Sequence, residues 1–419
     1  VAGRKKKKLP VAVQKAEVAV ALAKAEDKAR KKAKDQPPVD VYVQFKSAVA
    51  TVREQFGASR LRTGDDFPSM ERVPCGIFAL DLALGASGTD VGFPRGRISL
   101  IAGAESSCKT LVCLWLMREF QQRGEPVILV DAEKSWDKDW ARLNGVDPTQ
   151  VLVQTSENME QTLDILVEFV RALPNGLIVV DSFAQLTPKD EIESSFVEWQ
   201  QGLMARIANK GFRTLQASAN TASNEFLTHG PTVVVVQQFR SSISTGGSKV
   251  MPGGQGQLFA GSCIVHMRAG QKIWYVPGKG EQVERPDNIA SSSIVGSTFH
   301  FDVVKNKTAT PYRFGEFKFY TARVKDPETG ADIRKATTNP YQQLVSAAVR
   351  SGVLQRSGAF YAYGDRTIGQ GIVKAGQTLA ADVALYDLVY DGVIAAENTI
   401  GIMDAQDAER IITDVEVKT

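Results

Sequence analysis

Histidine is nearly absent from this 419-residue chain, and cysteine is scarce. The three histidines, His229, His266 and His300, lie far apart, and none is near another candidate catalytic group in sequence. Histidine-driven nucleophilic catalysis therefore has no support. The four cysteines, Cys75, Cys108, Cys113 and Cys263, form no C-x-x-C pair. That argues against a zinc site, and a disulfide framework does not suit a chain this long. No apolar run reaches the roughly 18 residues that a membrane span needs. The basic opening "VAGRKKKKLP" is not followed by an apolar segment strong enough for a signal peptide. The expectation is a cytosolic protein without a membrane partner. No internal repeat is visible.

What is present is ordinary globular composition, 43% hydrophobic and 23% charged. The length allows a large core domain with one or two smaller ones. The charge is uneven. Net charge is +3, but residues 1–40 carry twelve Lys/Arg against five Asp/Glu, so the rest of the chain is acidic. Such an arm suits nucleic acid; a solvated helical or disordered arm fits as well. Residues 11–35 are rich in the helix formers Ala, Lys and Glu, and "QPP" at 36–38 ends that segment. A second helix pattern follows in "VYVQFKSAVATVREQFG", with Gly57 as its stop.

The middle of the chain alternates two patterns. "RISLIAG" (97–103), "PVILVDAE" (126–133), "GLIVVDS" (176–182) and "PTVVVVQQ" (231–238) read as buried strands. "TLVCLWLMREFQQRG" (110–124) and "NMEQTLDILVEFVRAL" (158–173) have helical spacing. Continuous Val/Ile/Leu strands between helices predict an α/β fold, a parallel sheet covered on both faces. Ligands bind beyond the carboxyl ends of such strands, where Gly103, Asp131, Glu133, Asp181 and Gln238 fall. Two stretches read as mobile loops, "EIESSFVEWQQG" (191–202) and the Ser/Gly-rich "FRSSISTGGSKVMPGGQG" (239–256). From about 322 the character changes, through "KDPETGAD" into helix patterns at "NPYQQLVSAAVRSGVL" and "LAADVALYDLVYDGVIAA".

"GAESSCKT" (103–110) is one residue from a phosphate-binding loop, G-x-x-x-x-G-K-[ST], with Cys108 where the second glycine belongs. Phosphate is held there by backbone N–H groups and a helix N-terminus. Cysteine keeps its N–H and loses only conformational freedom. A positive φ would cost it roughly 1–2 kcal/mol. The thiol should stay neutral beside phosphate. Lys109 would neutralise the β/γ-phosphates and Thr110 would ligate Mg²⁺. Ser/Gly-rich strand–helix turns also arise without ligands, but "LIVVD" supplies the companion element, with Asp181 placed to hold Mg²⁺. Glu133 could orient and activate water, or be a solvated strand end. Gln238 could sense the γ-phosphate, or simply end a strand.

Through these residues and the segments around them, the chain resembles the RecA-type recombinases over roughly 45–371. The motifs are "ALDLALGASG" (79–88), "GAESSCKT", "VDAEKSWDKDWARLNGVD" (130–147), "IVVDSFAQLTPKDEIE" (178–193), "QQFR" (237–240), "VVKNK" (303–307) and "IGQG" (368–371). The likeness is collinear, with insertions near 271–296 and 321–339.

The resemblance implies a RecA-like P-loop ATPase core with a mostly parallel twisted sheet. It also implies an N-terminal oligomerisation helix and a small α+β C-terminal domain. The expected divisions are 1–37 for the basic arm, 38–67 for oligomerisation, 68–321 for the core and 322–419 for the C-terminal domain. ATP and Mg²⁺ are the implied cofactors, with Gly103, Ala104, Glu105, Ser106, Ser107, Cys108, Lys109, Thr110 and Leu111 as the cradle. Trp140 stacks on adenine and Asp137 meets the base. Asp181 and Thr110 serve the metal, Glu133 activates water and Gln238 senses phosphate. Lys305 and Lys307 reach the γ-phosphate of the neighbouring subunit's ATP.

The two loops match the family's DNA-binding loops. Gln201, Gly202, Arg206 and Arg213 belong to or follow the first. Arg240, Ser241, Ser242, Ile243, Gly253 and Gly254 belong to the second. Arg206 and Arg213 would equally suit a solvated helix face. The implied activity is ATP-driven filament formation on single-stranded DNA, with homologous pairing and strand exchange against duplex, in the nucleoid of a bacterial or phage-infected cell. The chain departs from the pattern at Cys108, at Gln237 in place of asparagine, and at His300 and Asp302 in place of basic residues for the incoming duplex. A RecA-fold hexameric helicase or motor, and a DNA-binding filament protein with a weakened ATPase, are the alternatives.

Overall fold

The computed structural model describes residues 41–57, 61, 65, 69–155, 157–194, 202–226, 229–241, 249–276, 280–282, 293–325 and 332–399. The basic arm at 1–37, and with it that division, lies outside them. The chain divides into two units, Val1–Phe67 and Pro68–Thr419. In the first, helix α1 (Val41–Phe56) exposes Val41, Tyr42, Phe45 and Phe56. Arg53 Nη2 ties its last turn to the Leu61 carbonyl at 3.2 Å.

The second unit is built on a ten-stranded sheet. Its strands are β1 (Ile98–Gly103), β2 (Val127–Asp131), β3 (Val151–Gln154), β4 (Leu177–Asp181), β5 (Thr232–Gln238), β6 (Cys263–Val276), β7 (Gly280–Gln282), β8 (Ser293–Asn306), β9 (Arg313–Lys325) and β10 (Asp332–Thr337). The order is β10-β9-β8-β6-β1-β5-β4-β2-β3, with β7 on β6. From β6 to β3 every pairing is parallel. The rest is antiparallel.

Successive strand residues point to opposite faces, and here both faces are core. On one side lie Val127, Leu129, Leu177, Val179, Val234 and Val236, packed under helix α3 (Lys109–Gln122). On the other lie Ile128, Val130, Ile178, Val180, Val233 and Val235, under α5 (Met159–Ala172) and α6 (Leu203–Phe226). This alternation is why the strands read as unbroken apolar runs. Helix α5 buries Met159, Thr162, Leu163, Leu166, Val167 and Val170 at helical spacing. Asn158 starts it, its side chain accepting the Gln161 N–H at 2.8 Å.

The sheet continues through Thr337, so a division at 321/322 falls inside β9. "KDPETGAD" resembles a linker in composition, but it joins two antiparallel neighbours of one sheet. The C-terminal layer follows, with helices at Pro340–Arg350, Ile372–Ala381 and Val383–Thr399 around a three-stranded sheet. Its core of Leu344, Val345, Leu379, Val389 and Val393 also takes in Phe78 and Leu82 of α2 (Phe78–Leu84). The last helical pattern breaks at Asp382, whose carboxylate accepts the Leu385 N–H at 3.0 Å and Arg366 Nη1 at 2.9 Å.

Candidate functional site

Strand β1 delivers the chain into the 103–110 loop, and α3 begins at its end. Gly103 does not have a positive φ; its requirement is space. A Cβ there would stand 2.5 Å from the Met267 carbonyl and 2.4 Å from Ser107 Oγ. Cys108 is the residue in the left-handed region, at φ 71° and ψ 14°, as N-cap of α3. Ser106 is left-handed too, at φ 56°. Cys108 thus carries the conformational cost that a glycine would avoid, while its N–H stays at the helix N-terminus. Burial pushes its thiol up to about 12, against a smaller opposing effect of Lys109, so the sulfur is neutral at physiological pH.

Lys109 is 9% exposed. Its ammonium donates to the Ala104 carbonyl at 2.6 Å and to Ser107 Oγ at 3.3 Å, so the loop curls around its own lysine. Burial lowers the Lys109 pKa, and Asp181 and then Glu133 oppose that shift. Leu111 points into the core and anchors the helix start.

Asp181, at the end of β4, is 4% exposed and accepts Thr110 Oγ1 at 2.7 Å. Burial raises it to about 6; the Thr110 bond opposes this, and Glu133 adds to it. Among the described residues no group of three His, Cys, Asp or Glu side chains could hold a metal by itself. The pair Thr110–Asp181 suits Mg²⁺, which commonly combines one or two protein ligands with phosphate oxygens and water. Glu133 stands beside them and accepts Ser182 Oγ at 2.7 Å.

Asp131 ends β2 and shapes the turn that follows. Its two oxygens accept the N–H groups of Ser135 and Trp136, each at 3.0 Å. Asp137 caps the short helix α4 (Lys138–Leu143), its Oδ1 accepting Asp139 N–H at 2.9 Å and Trp140 N–H at 3.1 Å. A cleft runs from Thr110 and Asp181 to Leu114, Met117, Trp136 and Trp140, with Asp137 on its wall. Trp136 and the organising role of Asp131 were missed by sequence reasoning. Their only signal is their place within residues 130–147, beside Glu133, Asp137 and Trp140.

The last residues of β5 face opposite ways. Gln238 donates to Glu105 Oε1 in the phosphate-loop candidate at 3.1 Å. Gln237 is fully buried and donates to Gln257 Oε1 on the other side of the sheet. Gln257 in turn donates to the carbonyls of Pro252 at 2.6 Å and Gly254 at 3.2 Å. Nothing in the sequence pattern marked Gln257.

Of the candidate DNA-contact residues, Gln201, Ser242 and Ile243 lie outside the described residues. Arg240 and Ser241 pair in backbone with Val250 and Lys249. Gly202 has φ 73° and precedes α6, which carries the exposed Arg206 and Arg213. Arg213 Nε donates to the Asn209 carbonyl at 3.2 Å. Gly253 and Gly254 are left-handed, at φ 90° and 73°, and lie against Phe183, Ala208 and Ala205. Lys305 and Lys307 share one side of the end of β8, while Asn306 between them is buried. Both ammonium groups converge on the end of the short helix α7 (Gly256–Ala260). Lys305 donates to the Leu258 carbonyl, and Lys307 to Phe259 O at 3.0 Å. Burial and then Lys307 lower the Lys305 pKa. Asp302 pairs with Arg268 at 2.8 Å, and His300 Nδ1 lies 3.5 Å from a carboxylate oxygen of Glu316.

The RecA N-terminal domain family matches residues 43–324, and the RecA C-terminal domain family matches 342–397. Among curated proteins, "Protein RecA" of Cereibacter sphaeroides is 34% identical over 350 residues, covering 81% of this chain and 91% of its own length. "Protein RecA" of Chlorobaculum parvum is 33% identical, covering 85% and 94%. That of Thermus aquaticus is 31% identical, covering 80% and 88%.

Proposed function

From the premise that this chain belongs to the RecA family of recombinases, we propose that it is a DNA-dependent ATPase that assembles on single-stranded DNA and pairs it with homologous duplex. The observation that carries the nucleotide reading is the 2.7 Å bond from Thr110 to the buried Asp181, at the mouth of a loop that holds a buried lysine. Bound Mg²⁺ would supply charge neutralisation on the phosphate oxygens.

The chain's own residues do the rest. The N–H groups of the 103–110 loop and the N-terminus of α3 bind phosphate. Lys109 leaves the Ala104 carbonyl for phosphate oxygens. Thr110 and Asp181 orient the cation. Trp140 and Trp136 offer faces to the base, and Asp137 lies beside them. Glu133 takes a proton from the attacking water, and Ser182 holds that carboxylate in place. Lys305 and Lys307 supply positive charge to a neighbouring subunit's site, so hydrolysis needs assembly. The exposed apolar residues of α1 suit burial against that neighbour. The loops around Gly202 and Gly253–Gly254, with Arg206 and Arg213, receive the DNA strand.

The test is ATP hydrolysis with and without single-stranded DNA, for the native chain and for Glu133→Gln. DNA-stimulated turnover that collapses in the variant, with ATP binding retained, is the expected result. Turnover that DNA does not change, or that survives in Glu133→Gln, overturns the assignment. Among the described residues no helix is long and apolar enough to cross a membrane.

A further inference from the structure

A cation stabilises a reaction in a neighbouring subunit only where its own chain holds it in place. For Lys305 and Lys307, strand pairing does part of this. Ile264 stands opposite Lys305 and Cys263 opposite Asn306, and there the pairing of β6 with β8 ends. Lys307 and the turn after it are held by other means. The Lys307 N–H donates to the Ser262 carbonyl at 2.9 Å. Buried Asn306 folds the chain back, its Oδ1 accepting the N–H of Thr308 at 2.9 Å and of Ala309 at 3.0 Å. Its Nδ2 donates to the Leu84 carbonyl, at the end of α2, at 2.8 Å.

A further tie comes from a residue remote in the chain. Arg72, on the two-residue strand Arg72–Val73, is 1% exposed. Its guanidinium is a fork with two sides. Nη1 donates to the carbonyls of Leu84 at 2.9 Å and Gly92 at 3.1 Å, on the core side. Nη2 donates to the Thr308 carbonyl at 2.7 Å and to Thr308 Oγ1 at 3.2 Å, on the turn side. The Leu84 carbonyl thus accepts from both Arg72 and Asn306. Packing here is close. A Cβ on Gly85 would stand 2.6 Å from Ala309 Cβ and 2.8 Å from Arg72 Cζ.

Stability does not explain such a residue. Every acceptor of the fork is uncharged, and Nε has no partner among the described residues. Burial lowers the Arg72 pKa, and no carboxylate opposes that shift. A buried charge without a counter-charge destabilises, and an apolar side chain of similar volume fills such a space more favourably. What the arginine supplies is geometry. A planar fork fixes the separation of two segments as a single ammonium cannot. The two segments are the end of α2 and the turn that begins at Lys307.

We propose that Arg72 is a positioning residue for hydrolysis in trans: through Thr308 it sets where Lys305 and Lys307 are presented to the neighbouring subunit's triphosphate. It rests on the assignment of those lysines to the neighbour's site.

The test uses Arg72→Lys, which keeps the charge and loses the fork. Thr308→Val is the milder companion at a half-buried position, removing the hydroxyl that meets Arg72 and Asn306. Circular dichroism checks both folds. Alone, Arg72→Lys should lower kcat for DNA-stimulated ATP hydrolysis about fivefold or more and Thr308→Val about threefold, with ATP affinity of DNA-free protein within about twofold of native. Each is then mixed with Glu133→Gln or with the double variant Lys305→Ala, Lys307→Ala. Glu133→Gln subunits present native lysines to sites that keep Glu133, so turnover should exceed the sum of the separate variants. With the lysine variant it should not, because both partners then fail on the same face. Gain with the lysine variant alone would place the effect of Arg72 in its own nucleotide site and overturn the proposal. Gain in neither mixture overturns it too, as does native turnover in both variants. If Arg72→Lys loses its fold, the same mixtures with Thr308→Val decide. The control is the lysine variant mixed with Glu133→Gln. No gain there, with co-assembly shown by fluorescence transfer, defeats the trans assignment of the lysines and the role of Arg72 with it.

Discussion

Gln237 donates a hydrogen bond from Nε2 to Oε1 of Gln257, and neither side chain is exposed. The next residue along β5, Gln238, reaches Glu105 of the phosphate-loop candidate. Adjacent strand residues project to opposite faces. Two consecutive glutamines therefore connect the nucleotide side of the sheet to the Pro252–Gly254 turn, which Gln257 holds by two carbonyls. Any movement of the β5 end displaces both.

The first prediction concerns that link. Losing one partner of a buried hydrogen bond costs about 1–3 kcal/mol, whereas replacing both by apolar groups of similar shape is nearly neutral. The double variant Gln237→Leu, Gln257→Leu removes both amides but also strips the Pro252 and Gly254 carbonyls of their Gln257 donor, so it should lose about 1–3 kcal/mol yet fold and bind ATP. Its DNA-stimulated hydrolysis should fall at least fivefold, with the DNA-free rate little changed. Equal stimulation in variant and native protein would remove the pair from the coupling.

The second uses Cys108. Cys108→Ala keeps the strained φ of 71° and Cys108→Gly relieves it. The glycine variant should be the more stable of the two by about 1 kcal/mol, since a Cβ in the left-handed region costs roughly 1–2. Thermal melts of the two variants without nucleotide check this, and Cys108→Gly should keep or raise hydrolysis. An alanine variant as stable as the glycine one would show that the loop carries no such cost.

The third concerns Gly103. Its φ is unremarkable, so Gly103→Ala fails for lack of space: the new methyl would stand 2.5 Å from the Met267 carbonyl of the neighbouring strand. ATP affinity should drop at least tenfold while the sheet persists by circular dichroism. Native affinity in this variant would contradict the close approach.

The fourth tests action between subunits. Lys305→Ala with Lys307→Ala should fold and bind ATP, but hydrolyse it no faster on DNA. Mixed with Glu133→Gln, some interfaces regain one Glu133 and both lysines, and turnover should exceed the sum of the separate variants. A sum without gain, with co-assembly shown by fluorescence transfer between labelled subunits, rejects the assignment in trans.

The amino-acid sequence by itself determined the parallel core strands, because each is a run of β-branched and leucine residues that only a sheet buried on both faces can accommodate. It also determined the phosphate-loop candidate, since Gly103, Lys109 and Thr110 occupy fixed offsets and every residue between supplies an N–H. The order of the strands was not legible. Neither was the continuation of the sheet through Thr337, where a polar connection between sheet neighbours has the composition of a domain linker. Single residues were hidden for the same reason. Gln257 and Trp136 follow no periodic pattern, and their partners lie 20 and 5 positions away, at Gln237 and Asp131. Which charges pair, as Asp302 does with Arg268, depends on distances between elements remote in the chain. Only the packing of those elements sets such distances, because Coulomb attraction and hydrogen bonding act over a few ångströms of space and not along the sequence.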